Sequence, residues 1–364
     1  MPSQQTDQLI QLIQSMTKAE KRSFRLFVNR DNKPNDKLFM QLFDYIDSTK
    51  TYKESELLKK LPQIKKVQLS NIKANLMKQI LANLRHLHKQ DFSDVSIREM
   101  LDYAKILQSK GMTKASLDML EKAKKIAEVN QETLLMYHIL DEERKIETQY
   151  ITGSSSIKAI EINDQSSKIL SKVTVHNKLS NLSLMLYGMY LKYGYVKDKK
   201  DFEQVKDYFY SNLPDIKPHK LGFYERIYYY QSFVWYYHMT QDFVNYYKYS
   251  QKWVDSYRAF PQLIKEDPML YFKGLHNALN ALYMANKTEK FLTNYASYVQ
   301  YEINFFDHMS ESQLYQYKLF KYIHLLNKIF LTGDYDNGVK EVAEIAEILK
   351  TGKHHWDVNR EMVF

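Results

Sequence analysis

Tyr322-Ile323-His324-Leu325-Leu326-Asn327-Lys328-Ile329-Phe330-Leu331-Thr332-Gly333-Asp334-Tyr335-Asp336-Asn337-Gly338-Val339-Lys340-Glu341-Val342 is the stretch from which the fold can be read. Tyr322, Leu325, Leu326 and Ile329 recur at i, i+3, i+4 and i+7, one face of an α-helix. Gly333 interrupts them, and Gly338 and Val342 then fall on a second helix. The same theme, a long helix, a short turn and another long helix, recurs upstream. Its turn signals stand at Gly111, Gly153, Gly194, near Gln241, near Asn286 and at Gly333, separated by 42, 41, 47, 45 and 47 residues. A fixed period of about 44 residues with two helices per unit predicts an α-solenoid, in which each pair completes its core only by stacking on its neighbours.

Composition agrees with an all-α chain. Of 364 residues only 9 are glycine and 7 proline. So few leave little material for the tight turns of sheets or for phosphate-cradling loops. A hydrophobic fraction of 44% and a charged fraction of 26% are those of a globular chain. No run of about 18 uncharged apolar residues is present, so no membrane span is expected. The opening Met1-Pro2-Ser3-Gln4-Gln5 lacks a secretory pattern, and a cytoplasmic location is the expectation. With no cysteine there is no disulfide and no thiolate chemistry.

The pattern over Tyr322–Val342 resembles that of tetratricopeptide repeats, with bulky residues on the first helix, Gly-x-aromatic at the turn and a small residue on the second. Leu186, Tyr190 and Gly194 give a second match, and Tyr230, Phe233, Tyr237 and Phe243 a third. The run Gly111 to Ala123 is similar but one residue out of register. The resemblance covers about 97–350. It implies a superhelical array binding peptides or proteins on a concave face, and no reaction. The period departs from the roughly 34 residues of that family, Gln241 and Asn286 replace the turn glycine, and HEAT-type repeats have a closer period.

The first 92 residues read as a separate basic domain of short helices. Leu9, Leu12, Ile13 and Met16 mark the first. Thr17-Lys18-Ala19-Glu20 and Thr51-Tyr52-Lys53-Glu54 are capping-box patterns that open later ones. Residues 1–90 hold 17 Lys+Arg against 8 Asp+Glu, the whole excess of the chain. Between Leu57 and Gln90 no acid occurs. A short helix, a break at Pro62 and a long helix from about Val67 suit a helix-turn-helix. Lys59, Lys60, Lys65, Lys66, Lys78, Arg85 and Lys89 are candidate contacts to phosphate or to an acidic protein, and a plain solvated basic face is the competing explanation.

The aromatic run 223–257 supplies the other candidate site. In the repeat register Tyr230, Phe233 and Tyr237 are core, and Tyr228 and Trp235 face the groove. The next unit places Lys273, His276, Asn280 and Tyr283 on the same side. Tyrosine and tryptophan give large contact area for little lost side-chain entropy, which suits recognition; packing with the hydroxyls reaching solvent is the more ordinary explanation. Glu142, Glu143 and Arg144 read as helix-surface charge. Phosphate-loop, hydrolase and zinc-protease motifs are absent. His354 and His355 lack a further ligand at metal spacing. The expectation is therefore a non-catalytic scaffold or adaptor for a protein or peptide, with no cofactor, no metal and no membrane partner, and a small molecule as the least expected ligand. The alternative is a nucleic-acid-associated regulator that sets residues 57–90 of its basic N-terminal domain on phosphate and senses a peptide or partner with its repeat domain. Domains are expected at 1–92 and 97–350, followed by a tail at 351–364.

Overall fold

A computed structural model describes residues 2–29, 36–49, 52–89, 91–149, 156–305, 309–336 and 338–343. Among these the chain is helical with no strand. It divides into two compact units, Met1–Asp102 and Tyr103–Phe364. His354, His355 and the tail lie outside the described residues.

The first unit contains α1 (Pro2–Ser15), α2 (Lys18–Asn29), α3 (Asp36–Ser48), α4 (Glu54–Lys60), α5 (Lys66–Leu87) and the start of α6 (Ser93–Ser109). The apolar residues at helical spacing close one core. Leu9 and Ile13 of α1, Phe24 of α2, Leu42 and Phe43 of α3, Leu57 of α4 and Leu69, Leu76 and Ile80 of α5 are buried together. The first capping box forms: Glu20 N–H donates to Thr17 Oγ1 at 3.2 Å and Thr17 N–H to Glu20 Oε2 at 2.6 Å. The second does not open α4 as its spacing suggests. Lys53 is the N-cap residue of α4, without a side-chain cap bond, and Thr51 lies outside the described residues. The Glu54 carboxylate is turned instead toward Lys73 Nζ, 3.8 Å away on α5.

The second unit continues with α7 (Thr113–Val129), α8 (Thr133–Gln149), α9 (Ser156–Tyr193), α10 (Lys199–Asn212), α11 (Phe223–Met239), α12 (Phe243–Asp255), the short α13 (Leu263–Glu266), α14 (Pro268–Met284), α15 (Thr288–Phe305) and α16 (Glu311–Thr332). Long helices pack on those that follow them closely in the chain: α7 on α8, α8 on α9, α9 on α10 and α11, α11 on α12, α12 on α14, and α14 on α15 and α16.

The connections explain why the turns were readable. Gly111, Gly194, Gln241, Asn286 and Gly333 all have positive φ. Three of these turns, and one at Gln131, hold left-handed caps closed by six-residue bonds: Met112 N–H donates to Leu107 O, Asp242 N–H to Tyr237 O, Lys287 N–H to Leu282 O, and Glu132 N–H to Ala127 O. Gln131, also at positive φ, carries no glycine signal, and Gly153 lies outside the described residues. The alternation of helix and turn fails once. α9 runs unbroken for 38 residues, about 57 Å at the α-helical rise. No proline or glycine falls between Ser156 and Tyr187 to stop it.

One side chain corrects the sequence reading. Glu143 is buried, 4% exposed, rather than part of a charged surface. Its carboxylate meets Lys124 of α7, itself buried, and Lys158 of α9 at 2.9 Å. Hydrogen bonding to Glu143 raises the Lys158 pKa. The two lysines stand on other helices, so the neighbouring sequence of Glu143 does not announce them.

Candidate functional site

The second half of α9 and the length of α11 form a seam of polar and aromatic pairs. His176 lies 3.2 Å from Glu225 Oε1 and edge-on to Tyr228, ring centroids 5.2 Å apart. Ser183 Oγ donates to Gln231 Oε1 at 3.3 Å. Trp235 rests on Tyr187 at 4.9 Å and on Tyr190 at 5.5 Å. The positions advance along both helices by steps of three, four or seven residues, so one face of each is used throughout.

Beside that seam α9 presents a second apolar face that no other helix covers among the described residues. Leu184 and Leu191 are each 65% exposed and Tyr187 is 40% exposed. Gly188 sits among them, and a Cβ built there would meet nothing within 4 Å. Residues 184, 187, 188 and 191 stand at i, i+3, i+4 and i+7. That is the outline of the four-residue hole which receives a side chain in helix-into-helix packing. One of its four corners is a glycine, and Trp235 stands against its Tyr187 wall.

The other groove candidates are distributed differently. Tyr228 and Trp235 are half-buried in the α9–α11 seam, and burial raises the Tyr228 pKa. Lys273 is exposed on α14. His276 stacks on Phe320 at 4.2 Å, and its Nδ1 lies 3.0 Å from Nε2 of the buried His324, so it ties α14 to α16. Asn280 Nδ2 donates to Tyr246 Oη at 3.4 Å, which ties α14 to α12. Tyr283 is half-buried against the same aromatic core. Sequence reasoning had no means to find Leu184, Gly188 and Leu191, because they continue the apolar spacing of the buried Leu182 and Leu186 around the helix.

Next to the seam lies His238, buried among Tyr190, Tyr195 and Tyr246, with ring centroids at 4.9, 5.1 and 4.9 Å. Burial lowers its pKa to about 4.

In the first unit the basic candidates separate into two groups. Arg85 pairs with Asp102 at 3.3 Å and Lys89 with Glu99 at 3.4 Å, both acids on α6. His88 bridges Glu20 at 2.7 Å and Asp91 at 2.8 Å. Lys59, Lys60, Lys65, Lys66 and Lys78 are exposed, and among the described residues none of them has a carboxylate partner. Lys60 lies 5.5 Å from the centre of the Tyr45 ring.

A cleft of about 350 Å³ opens between α12, α14 and α15, lined by Asp255, Arg258, Tyr271 and Tyr301 among others. Four of its polar groups are already engaged with one another: Arg258 pairs with Asp255 at 2.9 Å, and Tyr271 Oη donates to Tyr301 Oη at 2.8 Å. Among the described residues no cluster of three metal-ligating side chains occurs, and no helix is long and apolar enough to cross a membrane.

Comparison with protein-family models, with curated proteins and with solved structures gives no match. Any functional reading therefore rests on the chain's own residues.

Proposed function

We propose that residues from about 97 to 350 form a tetratricopeptide-like array of stacked helix pairs that works as a non-catalytic recognition module. In this reading it captures an apolar helical segment of another protein on the exposed face of α9. The observation that carries the proposal is Gly188. A glycine inside a helix costs about 0.5–1 kcal/mol relative to alanine, and among the described residues no neighbour within 4 Å needs the missing Cβ. The fold gains nothing from it. An incoming bulky side chain would, because it can seat directly on the α9 backbone between Leu184, Tyr187 and Leu191.

Burial of Leu184 and Leu191 would then supply part of the affinity, since a fully buried leucine contributes roughly 1.5–3 kcal/mol. Lys192 is exposed on the flank of the stripe. It favours a partner helix with an apolar stripe bordered by acids.

Two substitutions at one position test this. Gly188→Ala is expected to raise the unfolding free energy by about 0.5–1 kcal/mol, measured by urea denaturation. Gly188→Trp is expected to keep the helical circular-dichroism signal and to block the hole. A photo-crosslinking side chain at position 191 should tag one partner peptide with apolar residues at helical spacing. Adding Gly188→Trp should abolish that tag. Equal crosslinking with and without the tryptophan, or a tagged peptide with no apolar stripe, would sink the proposal.

A further inference from the structure

We infer that α4, the turn that follows it and the first half of α5 form a docking surface for duplex DNA, with α5 entering the major groove. This rests on the first unit alone and does not depend on the reading of α9.

Charge placement is the first argument. The acid-free run from Leu57 to Gln90 is met by acids from outside it, and they reach only some of its cations. Glu54 faces Lys73, Asp102 pairs with Arg85 and Glu99 with Lys89. The far end of α5 is thus neutralised within the protein. Lys59 and Lys60 at the end of α4, Lys65 and Lys66 at the start of α5, and Lys78 one face further on keep their charge for something else. A polyanion fits them, because each phosphate contact releases condensed counterions.

Shape is the second argument. Leu69, Leu76 and Ile80 hold one side of α5 in the core. The opposite side exposes Val67, Ser70, Asn71, Ala74, Asn75 and Lys78, at i, i+3, i+4, i+7, i+8 and i+11. Apart from the lysine these side chains are short, so the helix can come close to base edges. Asn71 and Asn75, joined at 3.4 Å, offer the amide donor and acceptor that adenine presents a match for. Val67, 93% exposed, suits a thymine methyl group. α5 also begins with no acid in its first turn and no side-chain cap, which leaves the positive end of its dipole to a phosphate. This face bears no aromatic ring on which single-stranded bases could stack, and the deep, narrow groove of A-form RNA does not admit a helix. B-form DNA is the nucleic acid that fits.

The test is fluorescence anisotropy of the full-length protein with a labelled random-sequence 30-base-pair duplex at 50–300 mM salt. About four phosphate contacts give a log–log salt slope near −4. Lys65→Glu/Lys66→Glu is expected to weaken binding on the order of 30-fold or more and to flatten the slope by about two. Arg85→Gln, whose charge is already paired, should change affinity less than threefold. No duplex binding at 50 mM salt would overturn the inference. So would stronger binding to single strands, to RNA duplex or to polyglutamate than to duplex DNA, or an Arg85→Gln loss as large as that of the lysine reversal.

Discussion

Glu143→Leu is expected to destabilise the second unit by about 3–5 kcal/mol, the range for a buried ion pair that loses one partner. Glu143 and Lys124 are both buried, and the carboxylate is the ion-pair partner of that ammonium among the described residues. Removing it strands a charge between α7 and α8. Lys158 is about one-third exposed and can turn to solvent. The double variant Lys124→Met/Glu143→Leu should recover most of the loss, because an apolar pair of similar volume removes both desolvation penalties together. Urea unfolding of the wild type and both variants measures this. A single variant within 1 kcal/mol of wild type would mean that the pair is not held out of water.

The second large effect is a dependence on pH. The buried His238 has its pKa lowered to about 4 by burial, whereas in the unfolded chain it titrates near 6.5. Between those values the unfolded state binds more protons, so stability falls as pH falls. The contribution is whole above about pH 6.5 and lost progressively toward pH 4, about 3 kcal/mol in all. The rings around it are Tyr190, Tyr195, Trp235 and Tyr246, none of which can balance an imidazolium with a negative charge at these pH values. His324, fully buried beside His276, is lowered too and acts in the same direction. His238→Phe should therefore lose less stability than wild type between pH 6.5 and 4. Parallel profiles of urea midpoint against pH for the two proteins would refute the assignment. Acids elsewhere in the fold titrate equally in both and cancel in the difference.

The sequence carried its helices and most of its connections plainly. Gly111, Gly194 and Gly333 mark left-handed caps because a glycine is the easiest residue to place there, and Gln241 and Asn286 were legible from the repeat spacing. Gln131 adopts the same conformation without either signal. Burial of Glu143 was hidden because its partners come from α7 and α9. Pairing of Arg85 and Lys89 was hidden for the same reason: Asp102 and Glu99 lie beyond the acid-free run that drew attention to them. The open face of α9 was masked by its own composition. Apolar residues occur around much of that helix, and periodicity alone cannot say which of two stripes is covered.

The unbroken course of α9 puts its two halves in rotational phase. The end that holds Glu143 through Lys158 and the end that displays Leu184, Gly188 and Leu191 belong to one rod. An inserted residue near its middle would swing everything beyond it by about 100° and carry the open stripe away from Trp235. Length changes in this rod are therefore tolerable only near whole turns, a constraint that loops between separate helices would not have imposed.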